Sequence, residues 1–92
     1  MARVTLELPT MIANVLGGTR RFEVEGATLS DALADAFVRL PTLKVHLVDE
    51  DGAFREHVLC FHNDENTRWR DGETIALRDG DRITILQAVS GG

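Results

Sequence analysis

The chain has 92 residues, a formal net charge of −5 and 43% hydrophobic content, which bounds it to one small domain with a single modest core. The acidic balance argues against nucleic-acid binding, whose footprint is a basic stripe, and no apolar run approaches membrane-spanning length. A single cysteine, Cys60, allows no internal disulfide, and Met1-Ala2-Arg3-Val4 runs straight into a strand pattern without a signal peptide, so a cytoplasmic protein is expected.

From Arg3 to Leu8 the residues alternate, with Val4, Leu6 and Leu8 on one side. That predicts a half-buried strand ended by Pro9. A loop is expected through Asn14, Gly17 and Gly18. Arg20 to Glu25 alternates again with Phe22 and Val24 inward, so the two strands read as an N-terminal hairpin. Gly26 breaks the chain. Thr28 then offers a cap and Asp31 a first-turn acid. Leu29, Leu33, Ala36, Phe37 and Leu40 make one apolar stripe, predicting a helix near residues 29–40 that Pro41 stops.

Beyond it, Leu43 to Val48 is a short apolar piece and Asp49-Glu50-Asp51-Gly52 a turn. His57 to His62 is the next strand. Asn63-Asp64-Glu65-Asn66 reads as a tight turn and Thr67 to Trp69 as a short edge strand. Asp79-Gly80-Asp81 reads as a hairpin-type turn before a last strand, Arg82 to Gln87. One helix on one mixed sheet of four or five strands is an α+β arrangement. Its first and last strands are expected side by side and parallel. Residues 1–87 form the domain and 88–92 a flexible tail ending in Gly91-Gly92. An unsupported Gly-Gly end adds nothing to a core, and reads either as a frayed terminus or as a thread for a narrow channel.

Three segments together carry a family resemblance: Phe61-His62-Asn63-Asp64, Asp79-Gly80-Asp81, and Ile83-Thr84-Ile85-Leu86-Gln87-Ala88-Val89-Ser90-Gly91-Gly92. They resemble the ThiS/MoaD sulfur carriers of the ubiquitin-like β-grasp fold, which serve thiamine, molybdopterin and cysteine biosynthesis. The opening Val4 to Thr10 and Gly17-Gly18 look most like the cysteine-biosynthesis type. The chain departs from the family at Gln87, commonly Pro, and at His62, often Val.

The resemblance implies a protein co-substrate rather than an enzyme. An E1-like enzyme would use ATP and Mg to adenylate the Gly92 carboxylate. A sulfur donor such as a cysteine desulfurase or rhodanese would convert it to a thiocarboxylate, and a sulfur-accepting synthase would take the sulfur. No cofactor would be bound stably. Gly91 and Gly92 would be the reacting end, and the five tail residues reach roughly 16–18 Å when extended. Two alternatives share or forgo this chemistry: a protein modifier joined through Gly92 to lysines, and a β-grasp module used only for binding.

The partner surface follows from alternation. If Val58 and Ile83 face the helix, then Leu59, Phe61 and Leu86 lie on the open face, and a contiguous exposed apolar patch marks a protein interface. Ala88, Val89 and Ser90 continue it along the tail, and Arg68 and Arg82 are candidates for its rim. Other sites are weaker. Cys60 shares the core face with Val58 and reads as an inert thiol. The spacings of His46, His57 and His62 match no zinc signature, and Asp49 to Asp51 lack the closing glutamate of a calcium loop. No metal is expected.

Overall fold

A computed structural model describes residues 1–88 of the chain. Strand β1 (Ala2–Glu7) pairs antiparallel with β2 (Arg21–Gly26), in a register from Ala2 opposite Gly26 to Glu7 opposite Arg21. Val4, Leu6 and Val24 are buried, as alternation predicts. The connection is not the expected loop. Thr10–Val15 forms helix α1, which buries Ile12 and Ala13. Pro9 precedes it with extended backbone, and Gly18, at φ 95°, donates its N–H back to Ala13 O at 2.8 Å. A six-residue helix is under two turns, too short to display a period.

Helix α2 (Leu29–Arg39) starts where the cap predicts: Thr28 Oγ1 accepts the Asp31 N–H at 3.2 Å. It buries Leu29, Ala32, Leu33 and Ala36, while Phe37 and Leu40 pack at the core margin. Gly26 is essential to this packing. A Cβ there would stand 2.4 Å from the Ala32 backbone nitrogen. Pro41 ends α2 but opens a further helix, α3 (Pro41–Leu47), where only a short apolar piece was expected. Proline suits a first helical position because its missing N–H would go unpaired there anyway. Leu43 and Leu47, four apart, are fully buried.

Strand β3 (Val58–His62) is followed by a two-residue turn in which Asn63 takes φ 54°. The chain therefore returns at once, and the edge strand β4 is Glu65–Asn66 rather than Thr67 to Trp69, which is turn. Thr67 is buried instead and donates its hydroxyl to Cys60 O at 2.7 Å. A 3-10 turn at Gly72–Thr74 leads toward β5 (Arg82–Gln87).

The sheet order is β2-β1-β5-β3-β4. β5 runs parallel to β1, with Leu6 opposite Ile83, and antiparallel to β3, with Cys60 opposite Ile85. The Asp79-Gly80-Asp81 turn is therefore not a hairpin, because the strand it opens lies parallel to β1. It grips β1 directly: Asp79 Oδ1 accepts the Arg3 N–H at 2.8 Å, Gly80 N–H reaches Arg3 O at 3.1 Å, and Thr5 N–H reaches Asp81 O at 3.1 Å. Gly80 sits at φ 88°, a conformation that favours glycine.

Val4, Leu6, Val24, Leu43, Leu47, Ile83 and Ile85 form the centre of the core, between the helices and one sheet face. This is the ubiquitin-like β-grasp arrangement. It leaves the other sheet face uncovered and places the strand that leads into the tail at the sheet's centre.

Candidate functional site

Strict alternation along β3 and β5 sorts the candidate residues. Val58, Cys60, Ile83 and Ile85 are buried toward the helices. Leu59 lies opposite Leu86 and Phe61 opposite Thr84 on the open face. Leu86 is 42% exposed, and Leu59 and Phe61 are half-buried. The three predicted side chains thus belong to two hydrogen-bonded neighbours and share one face. Thr84, missing from the predicted set, lies between them and Arg82 along β5; its pairing with Phe61 is the signal that finds it.

A shallow hollow of about 370 Å³ lies against this patch, lined by Glu7, Phe61, Arg82, Thr84 and Leu86 among others. Arg82 rims it as expected. Its guanidinium stands 3.8 Å from Glu7 and 3.5 Å from Asp64, and Glu7 also faces Arg21 at 3.4 Å. These exposed pairs contribute little stability, so their charges remain accessible for a partner. Arg68 does not rim the patch. It lines a separate hollow with Glu56, His57 and Ala88, and donates to Glu56 O at 3.0 Å. That location depends on the turn after β4, which alternation does not reveal.

Ala88 is exposed, and its N–H donates to His57 O at 2.8 Å, one residue past the end of β5. Val89, Ser90, Gly91 and Gly92 lie outside the described residues. Gln87 faces inward opposite Val58, and its buried Oε1 has no partner among the described residues.

Cys60 is buried, and desolvation pushes its thiol up to about 11, with the Thr67 hydroxyl acting weakly in the opposite direction. At neutral pH almost none of it is thiolate, the form that acts as nucleophile. His62 Nε2 is 2.8 Å from Asp81 Oδ2, a contact that joins β3 to the turn before β5. The Asp49 carboxylate accepts the N–H groups of Asp51 and Ala53, so it is employed within its own turn. Among the described residues, no helix is long and apolar enough to cross a membrane.

The site therefore consists of an apolar patch on the open sheet face, a charged rim, and a central strand that continues into a run of small residues. The ThiS family model matches residues 10–92. The chain belongs to the ThiS family. It is 33% identical over 91 residues to the sulfur carrier protein CysO of Mycobacterium tuberculosis, covering 97% of this chain and 98% of that one. The CysO structure in the Amycolatopsis orientalis BexX/CysO complex superposes with a TM-score of 0.81 at 35% identity, covering 97% of this chain and 99% of that chain. The small archaeal modifier protein SAMP1 of Haloferax volcanii gives the same TM-score, 0.81, at 26% identity, over 99% of this chain and 100% of that one.

Proposed function

We propose that this chain is a sulfur carrier whose Gly92 carboxylate is the reacting group. The observation that carries the reading is the path of β5. It carries Leu86 of the Leu59–Phe61–Leu86 patch and ends at Gln87 at the centre of the sheet, and in the sequence Ala88-Val89-Ser90-Gly91-Gly92 follows. A partner that grips the patch would hold the end of the strand from which, in sequence, the last five residues follow.

A free carboxylate resists nucleophilic attack. An E1-like enzyme using Mg-ATP would form the Gly92 acyl-adenylate and release pyrophosphate. Sulfide would then attack the carbonyl carbon, the C–O bond to phosphate would break, and AMP would leave; a persulfide donor would instead form an acyl disulfide, whose S–S bond a thiol would cleave to free the thiocarboxylate as that thiol and the donor's sulfur join in a disulfide. The resulting thiocarboxylate sulfur would attack an acceptor on a synthase. Likeness to CysO favours the cysteine branch, with an activated serine as acceptor. ATP and Mg belong to the activating enzyme. This chain supplies the docking face and an end without side chains.

The CysO in the BexX/CysO structure is bound to another protein, which supports a carrier that works by docking. A second reading, a protein modifier joined through Gly92 to lysines, is favoured by the likeness to SAMP1.

Intact mass after incubation with the cognate E1-like enzyme, Mg-ATP and sulfide tests the carrier reading. The expected result is replacement of one oxygen by sulfur, located to Gly92. An unchanged mass with a folded chain and an active enzyme would count against it.

A further inference from the structure

Positive charge on this chain is carried almost wholly by arginine. Of 10 basic residues, Lys44 is the single lysine, and the sequence contains no tyrosine. Guanidinium groups stay protonated and are poor nucleophiles. The one thiol, Cys60, is buried and held as the neutral form. A surface of this composition is nearly inert toward an activated acyl end. Lys44 Nζ is the exception, since it is the only side-chain amine available for acyl transfer.

Its position adds a second observation. Lys44 is exposed on α3, which packs on the covered face of the sheet, away from Leu59, Phe61 and Leu86. It lines a cleft of about 440 Å³ together with Leu33, Phe37, Phe54, Arg68 and Arg70. Arg70 is paired with Glu65, and Arg68 donates to Glu56 O. Lys44 has no ion pair or hydrogen bond among the described residues. The cleft thus combines an apolar lining, a cationic rim and one unengaged amine. Residues 88–92, with only small or medium side chains and a terminal carboxyl group, have the complementary chemistry.

We propose that Lys44 and this cleft are the acceptor site for the tail of a second copy of the chain. The inference rests on the activation of Gly92 proposed above. The neutral Lys44 Nζ attacks the Gly92 carbonyl carbon of an acyl-adenylated copy. The C–N bond forms, the C–O bond to phosphate breaks, and AMP leaves with the bonding pair. The amine proton passes to solvent, and no oxidant or reductant is needed. Each copy then offers one donor end and one side-chain acceptor, so linked copies grow unbranched and with a single linkage. A donor held by its open sheet face keeps its own Lys44 free on the opposite side.

The full chain, its cognate E1-like enzyme and Mg-ATP are incubated without a sulfur donor. First-turnover pyrophosphate release and AMP release are measured, and the products are digested with trypsin. Cleavage after Arg82 leaves Ile83–Gly92 on any acceptor, so a branched peptide identifies the linked residue. The expected remnant is on Lys44, and Lys44→Arg loses at least ten-fold of the linked product and of AMP release, with first-turnover pyrophosphate release unchanged. A second variant, Lys44→Arg with Val38→Lys, moves the amine to an exposed position on α2 outside the cleft and is expected to stay unlinked. Linkage of that relocated lysine at the wild-type level, a remnant on the Met1 amine, or pyrophosphate release without any linked product would each overturn the inference. Absence of pyrophosphate release would overturn the activation reading beneath it as well.

Discussion

His62 and Asp81 bind one another at 2.8 Å across the end of the sheet, joining the last residue of β3 to the turn that opens β5. The same Asp81 carboxylate accepts the Arg78 N–H at 2.9 Å and Asn63 Nδ2 at 3.3 Å. The hydrogen bond from His62 and then the Arg78 N–H hold its pKa below the ordinary carboxylate value. Folding therefore lowers its proton affinity. Its contribution is fully present above the unfolded pKa, about 3.9, and is lost as pH falls through the lower folded value. Asp81→Asn should cost about 1–2 kcal/mol at neutral pH. Denaturant titrations should show the gap between the two proteins closing below about pH 4.

Gly26→Ala forces a methyl group to 2.4 Å from the Ala32 nitrogen and 2.8 Å from the Asp31 carbonyl carbon. Both are backbone atoms, so α2 itself must shift away from β2. A loss of about 2 kcal/mol or more is expected in a urea titration, although alanine favours strand and helix more than glycine does.

Leu86→Asp removes an apolar side chain from the open face and adds a charge beside Leu59 and Phe61. At 42% exposure, the change should cost the fold less than about 1 kcal/mol. Titration against the activating enzyme should show at least about a ten-fold weaker complex, the equivalent of about 1.4 kcal/mol.

Cys60→Ala should leave sulfur transfer intact, because the thiol is buried and kept protonated. In the native protein, alkylation by iodoacetamide should be slow and should accelerate sharply once denaturant opens the fold. Rapid alkylation of the folded chain would contradict the burial of this residue.

A single alanine appended after Gly92 should eliminate acyl-adenylate formation, measured as pyrophosphate release. Thermal melting should be unchanged, to within about 0.5 kcal/mol in stability, since the addition lies beyond the last described ladder bond, from Ala88 to His57.

The strands that carry the core were legible because their chemistry repeats every second residue. Val4, Leu6, Ile83 and Ile85 declare one face, and the same rule placed Leu59, Phe61 and Leu86 on the other. Helix α2 was legible from Thr28, Asp31 and its leucine spacing. Helices α1 and α3 were not, because six or seven residues offer a single i, i+4 pair such as Leu43 and Leu47, which a buried strand shows equally well. Strand β4 escaped because Glu65 and Asn66 carry no apolar signal and are fixed by the left-handed backbone of Asn63. Arg68 lies away from the patch for a related reason, since its position follows from the turn after β4, which carries no alternating signal either.

The parallel pairing of β1 with β5 has a mechanical consequence. Tension applied through the tail reaches the body at β5, which is clamped on one side by β1 and on the other by β3. A pull along that strand must shear both ladders together rather than unzip one bond at a time. An enzyme drawing the tail into a channel and later letting go would therefore tug on a strand held by neighbours on both sides, and a carrier so built would be threaded and withdrawn through many turnovers without being unravelled.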